Sequence, residues 1–135
     1  MKVLRSAAGI VLGFLTFAGM VQMLPKFAAG LASESESTYL FVNLAWTVVA
    51  AILAGYIAAR LADRHEFPHA AAVGLLIVGL AVASMRAEGA PRPGWYHITL
   101  AGCGPISVMI GAAIRLLTKP RQTANVKTSG DAIRR

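Results

Sequence analysis

Charge is what this chain has least of. Only 14% of its residues are Asp, Glu, Lys or Arg, where a soluble domain carries about 25%. Six residues are acidic, and none of them falls inside an apolar run. That argues against water as the main solvent for the side chains, and against proton-coupled transport through a membrane carboxylate. There is one cysteine, Cys103, so an intramolecular disulfide is excluded and the redox compartment stays unspecified. Basic stretches interleaved with aromatics are also missing, which excludes the stacking groove of a single-strand binder. No nucleic-acid partner is expected. Nor do the apolar runs alternate with polar residues, as the strands of a barrel would.

Long apolar runs are abundant instead. Apolar residues make up 56% of the 135 positions, and the mean hydropathy is +0.61. Four runs stand out, at about 6–24, 39–59, 69–85 and 95–117. A membrane-crossing helix needs about 20 residues, within a range of roughly 17–25. Helices are the only open-ended option, because unpaired strand edges are not tolerated in hydrocarbon. The expected fold is therefore an all-α membrane protein, a bundle of four transmembrane helices occupying 1–118. A basic, mobile cytoplasmic tail is expected at 119–135.

The linkers fit those limits. Pro25 is read as closing the first segment, and Ser33 to Thr38 as a polar loop that caps the second. Pro68 suits the first turn of the third segment, where a missing N–H costs nothing. Ala90-Pro91-Arg92-Pro93-Gly94 is a turn-rich link before the fourth. The first apolar run, of about 19 residues, exceeds the 7–15 of a signal peptide and is expected to be retained.

Orientation follows from the basic residues. Lys2, Arg5, Arg60, Arg64, Arg115, Lys119, Arg121, Lys127, Arg134 and Arg135 lie on one side, ten of the thirteen. Lys26, Arg86 and Arg92 lie on the other. The positive-inside rule then places both termini in the cytoplasm.

The stretch His65-Glu66-Phe67-Pro68-His69 matches H-E-x-x-H, a zinc-protease pattern that needs both histidines on one continuous helical turn. Pro68 sits inside it, and a proline in a helix interior costs about 3 kcal/mol. If the helix starts at Pro68, His65 falls outside it. The third protein ligand of a catalytic zinc is also missing from the apolar segments. The stretch is read as a polar turn between helices. His97 follows the anchors Trp95 and Tyr96 and is read as a polar group at headgroup level. His69 lies at the opposite end of the bilayer, so the two cannot share a metal. No catalytic, cofactor-binding or metal-binding residue is assigned, no cofactor is expected, and the chain is not expected to be an enzyme.

The polar residues within the runs are few and neutral: Thr16, Gln22, Asn43, Thr47, Ser84, Thr99 and Ser107. Small residues at four-residue spacing are the clearer signal. Gly9 and Gly13 form a GxxxG; Ala51 and Gly55, Ala70 and Gly74, and Ser107 and Gly111 repeat the spacing. Such stripes let helix backbones approach closely where lipid gives no hydrophobic drive. Gly9, Gly13, Ala51, Gly55, Gly74, Ser107 and Gly111 are the helix-packing candidates. Asn43, His97 and Pro105 are the polar and kink candidates. Asn43, Leu44, Ala45 and Gly55 also precede Thr99, Leu100, Ala101 and Gly111 by a constant interval. Two readings stay open for that: a duplicated helical hairpin, or shared membrane composition.

Residues 39–61 (YLFVNLAWTVVAAILAGYIAARL) and 95–117 (WYHITLAGCGPISVMIGAAIRLL) resemble small bacterial inner-membrane proteins with four helices. The matching elements are the glycine and arginine ending the second segment, the WYH opening the fourth, and Pro105 with Gly111. The resemblance implies the architecture and a multi-pass location in the bacterial inner membrane. It implies no activity, as that group has none assigned. The expected role is an accessory membrane subunit or homo-oligomer acting by helix packing in the lipid bilayer. The alternative is a small channel or uniporter using Asn43 and the Pro105 kink.

Overall fold

The computed structural model describes residues 2–27, 35–62, 66–87 and 93–118. They form four helices: α1 (Lys2–Phe27), α2 (Glu36–Leu61), α3 (Glu66–Ala87) and α4 (Gly94–Thr118). All four are long and apolar enough to cross a membrane. The tail at 119–135 and the turn residues Asp63, Arg64 and His65 lie outside the described residues.

Each helix exceeds its apolar run at both ends. Hydropathy marks the part that suits hydrocarbon, whereas the backbone ladder continues into polar flanks such as Glu36 to Thr38. Pro25 does not close the first segment, because α1 continues to Phe27. The proline removes one N–H and leaves the carbonyl of Val21 without its helical donor. Two residues from the helix end, that loss is confined to the last turn. Ser35 caps α2: its backbone is extended and its hydroxyl accepts the Thr38 N–H at 3.4 Å. Pro68 is the third residue of α3, within the turn whose N–H groups have no helical partner anyway.

The bundle is small inside and large outside. Its core contains Ala50, Ala51, Ala54, Ala58, Ala59, Ala70 and Ala112, with Val73, Ile77 and Val108 as the largest fully buried side chains. Phe41, Leu75, Ile98 and Ile106 point outward, Ile98 at 74% exposure. Large apolar side chains on the outer surface are costly in water, and small ones inside permit the close helix contacts on which association in lipid depends.

Sequential helices are antiparallel, so α2 runs parallel to α4 and α1 to α3. Both α2 and α3 touch all the other helices, while α1 and α4 do not touch each other among the described residues. Glycines set the closest approaches. A Cβ on Gly13 would lie 2.9 Å from the Ala54 carbonyl oxygen and 3.1 Å from the Ala58 Cβ. One on Gly9 would lie 3.1 Å from the Leu61 Cβ, and one on Gly74 3.4 Å from the Cα of Pro105. The tightest contact joins α2 to α4 and is reciprocal. Gly55 faces the carbonyl of Val108, and Gly111 faces the carbonyl of Ile52. Each glycine thus meets the carbonyl of the residue three before the other glycine. Ile52 to Val108 is the same interval as Gly55 to Gly111, the interval seen in the sequence. The two-fold relation is local to this crossing, since α2 touches α3 but α1 does not touch α4.

A tryptophan secures α1 to α2. The indole N–H of Trp46 donates to the Met20 carbonyl at 2.8 Å. Met20 immediately precedes Val21, whose carbonyl Pro25 leaves without a helical partner. Interhelical bonds of this kind contribute about 0.6 kcal/mol on average in membranes.

Candidate functional site

The glycine contacts with α2 gather in one half of the bundle, the half that carries Lys2, Arg60 and Thr118. Toward the other end, where α1 links to α2 and α3 links to α4, the helices diverge around a cavity of about 300 Å³. That size is at the lower bound of ligand pockets, about 300–1,000 Å³. All four helices line it, through Phe17 and Gln22 of α1, Asn43 of α2, Ile77 and Ala81 of α3 and Tyr96 of α4, among others.

The lining is graded in depth. The rim holds Gln22, Tyr39, Ser84 and Tyr96, within about five residues of their helix ends. Asn43 lies half-way down. Phe17, Thr47 and Ile77 lie ten or eleven residues in, roughly 15 Å at 1.5 Å per residue. Below them Ala50, Ala51, Ala54, Val73 and Val108, at 0% exposure, close the bundle. The cavity is therefore blind, with a polar rim and a mostly apolar floor.

No lining residue carries a formal charge. Thr47 turns its hydroxyl back on its own helix, donating to the Asn43 carbonyl at 2.8 Å. Ser84 does likewise with the Ala81 carbonyl at 2.9 Å. The Asn43 side-chain oxygen lies 3.4 Å from the Thr47 hydroxyl, a long contact. The Asn43 amide N–H groups, the Gln22 amide and the Tyr39 hydroxyl have no hydrogen-bond partner among the described residues. They form a set of neutral donors and acceptors beside an apolar wall of Val21, Leu80, Ala81 and Leu100.

The cavity brings together four of the neutral polar residues singled out in the sequence: Gln22, Asn43, Thr47 and Ser84. Pro105 is elsewhere, packed on Gly74, so the kink and Asn43 do not share a site. Ser107 is buried in the helix contact below. His97 lies three residues into α4 and is buried, 8% exposed; its Nδ1 has no hydrogen-bond partner among the described residues. Its ring lies edge-on to Tyr96, with centroids 5.5 Å apart. Glu66 and His69 lie at the far end, in the first turn of α3. Among the described residues no three His, Cys, Asp or Glu side chains gather in a metal-holding group. Sequence reasoning missed the tyrosines. Tyr39, Asn43 and Thr47 are spaced four apart, which puts them on one helical face and was the available signal.

Fold and site together define a four-helix protein of membrane-compatible length and apolarity, with a blind neutral cavity at one end. Comparison with family models, with curated proteins and with solved structures finds no match.

Proposed function

We propose that this chain is a multi-pass protein of the bacterial inner membrane that holds a small uncharged ligand in its cavity, on the outer side. Both termini are cytoplasmic in this reading, which the clustering of Lys and Arg at the opposite end supports. The observation that carries it is the blind cavity, lined by six neutral hydrogen-bonding residues and closed below by alanines.

The glycines of the packing stripes do not decide between the roles. Gly9, Gly13, Gly55, Gly74 and Gly111 all face other helices of the same chain. Those five are occupied within the chain, whereas Gly19, Gly79 and Gly102 meet nothing within 4 Å and stay open on the outer surface. The blind cavity, and not the glycines, favours the uniporter class over the accessory or oligomeric role, in a form closed on its cytoplasmic side. The lining holds no carboxylate, imidazole or thiol, so the proposed role is binding and not catalysis. The likeness to small four-helix bacterial membrane proteins supports the architecture and adds no activity.

Gentle detergent extraction and native mass spectrometry test this. Asn43→Trp fills the cavity from its side. The parent chain is expected to carry a small-molecule mass above 14.2 kDa or a multiple of it, and the variant to lose it. Extra mass made of foreign polypeptide and unchanged in the variant, or no extra mass in either, contradicts the proposal.

A further inference from the structure

The cavity does more than admit an uncharged molecule: its mouth and its gradient specify which kind. The inference rests on the binding role proposed above and deepens it. Of the lining residues, those exposed at the surface are Gln22 and Pro25 of α1 and Leu80 of α3. The lining residues of α2 and α4 are buried or half-buried, with Thr47 at 4% and Tyr96 at 2%. The lining is thus exposed along α1 and α3 and not along α2 and α4, which assigns the mouth to the seam between the parallel helices α1 and α3. In a bilayer that seam faces lipid.

The polarity of the cavity runs in the same sense as that of a lipid leaflet. Gln22 lies four residues from Lys26, about 6 Å along the helix, at the depth of headgroups. Phe17 and Ile77 lie deeper, where acyl chains lie. A guest taken from the outer leaflet would keep its orientation on moving in, head against Gln22, Tyr39 and Asn43, apolar body against Phe17, Ile77, Leu80 and Leu100. Inside the cavity no lining residue could neutralise a phosphate, carboxylate or ammonium head, which selects against a charged head drawn below the rim; Lys26, one turn above Gln22, lies outside the lining.

We infer that the cavity takes an uncharged amphiphile, with a hydroxyl or ester-carbonyl head on an apolar body, laterally from the outer leaflet through the α1–α3 seam. Asn43 and Gln22 read the head, and Leu80 stands at the portal.

The test uses the full chain in phosphatidylcholine vesicles with two photoactivatable probes. One is a long-chain monoacylglycerol dissolved in the bilayer. The other is its water-soluble butyryl analogue. Cross-linked peptides are read by mass spectrometry, and labelling of lipid-facing positions such as Leu75 and Ile98 sets the background. The long-chain probe is expected to label 17–25 and 77–84 at least fivefold above that background, and the butyryl analogue not to. Leu80→Trp, at an exposed position that leaves folding intact, is expected to lower this labelling at least fivefold. Gln22→Leu combined with Asn43→Leu should do the same. If the short analogue labels the cavity and Leu80→Trp changes nothing, lateral access is wrong while binding stands. Equal labelling by a long-chain phosphate-headed probe overturns the selection for uncharged heads. If neither monoacylglycerol probe labels above background, the binding role falls as well.

Discussion

Gly55→Ala and Gly111→Ala are each expected to destabilise the bundle by about 2 kcal/mol or more, while Gly79→Ala and Gly102→Ala are expected to leave it level or slightly more stable. The four substitutions add the same methyl group to the same kind of helix. They differ only in what that methyl meets. On Gly111 it collides with the Ile52 carbonyl and comes within 2.8 Å of the Tyr56 nitrogen. On Gly55 it collides with the Val108 carbonyl, whose carbon lies at 2.8 Å. Both obstacles are backbone, which cannot rotate away as a side-chain tip can. The methyls on Gly79 and Gly102 meet nothing within 4 Å. Alanine gains about 1 kcal/mol over glycine in helix propensity, and overpacking costs about 1–3 kcal/mol, occasionally more. The collision therefore outweighs the propensity gain at Gly55 and Gly111. At Gly79 and Gly102 only the gain remains. Monodisperse yield and reversible unfolding in mild detergent check this, with both outer variants level with the parent or up to about 1 kcal/mol more stable.

The same logic, reversed, gives the second large effect. Ala81→Leu places three more carbons at a position only 5% exposed, which in a packed core would strain its neighbours. Ala81 lines the cavity, however, and the added carbons enter open space. Stability is expected to stay level or rise, since the new contacts fill a void and bury apolar surface. Ligand retention is expected to fall at least tenfold, because the apolar wall then projects into the site. Unfolding and ligand retention by native mass spectrometry are measured on one preparation. A variant that unfolds early while still holding ligand would mean that Ala81 packs against protein and not against the cavity.

Much of the fold can be read from the chain because its determinants are local. An apolar run of membrane length leaves the backbone little choice but helix, and four such runs separated by Pro, Gly and Ser are visible by inspection. The four-residue spacing of Gly9 with Gly13 and of Ala51 with Gly55 is equally visible. Which helix each stripe faces is not, because α2 presents small residues to three neighbours at once. Pro25 shows a limit of another kind. A proline forbids one hydrogen bond but does not end a helix, so α1 continues past it. The cavity was the least legible feature. A void arises where helices diverge, which depends on how the glycines draw the opposite half together, and no single residue encodes that. Asn43 and Thr47 were recognisable as unusual in an apolar run. Tyr39 and Tyr96 were passed over because an aromatic at a membrane boundary needs no further reason to be there. His97 was read only for its depth, at headgroup level, and nothing in the sequence signals that its ring packs inward at that depth.

Everything proposed for this protein depends on the bundle lying in the membrane with the cavity outward, and cysteine labelling in intact cells measures that most directly. Cys103, half-buried in α4, is first replaced by serine. Single cysteines are then introduced at Ser37, exposed at the cavity end, and at Thr118, exposed at the opposite end. With a maleimide that cannot cross the inner membrane, Ser37→Cys is expected to label in intact cells. Thr118→Cys is expected to label only after permeabilisation. Labelling of Thr118→Cys in intact cells, or recovery of the protein in the soluble fraction, would contradict the account.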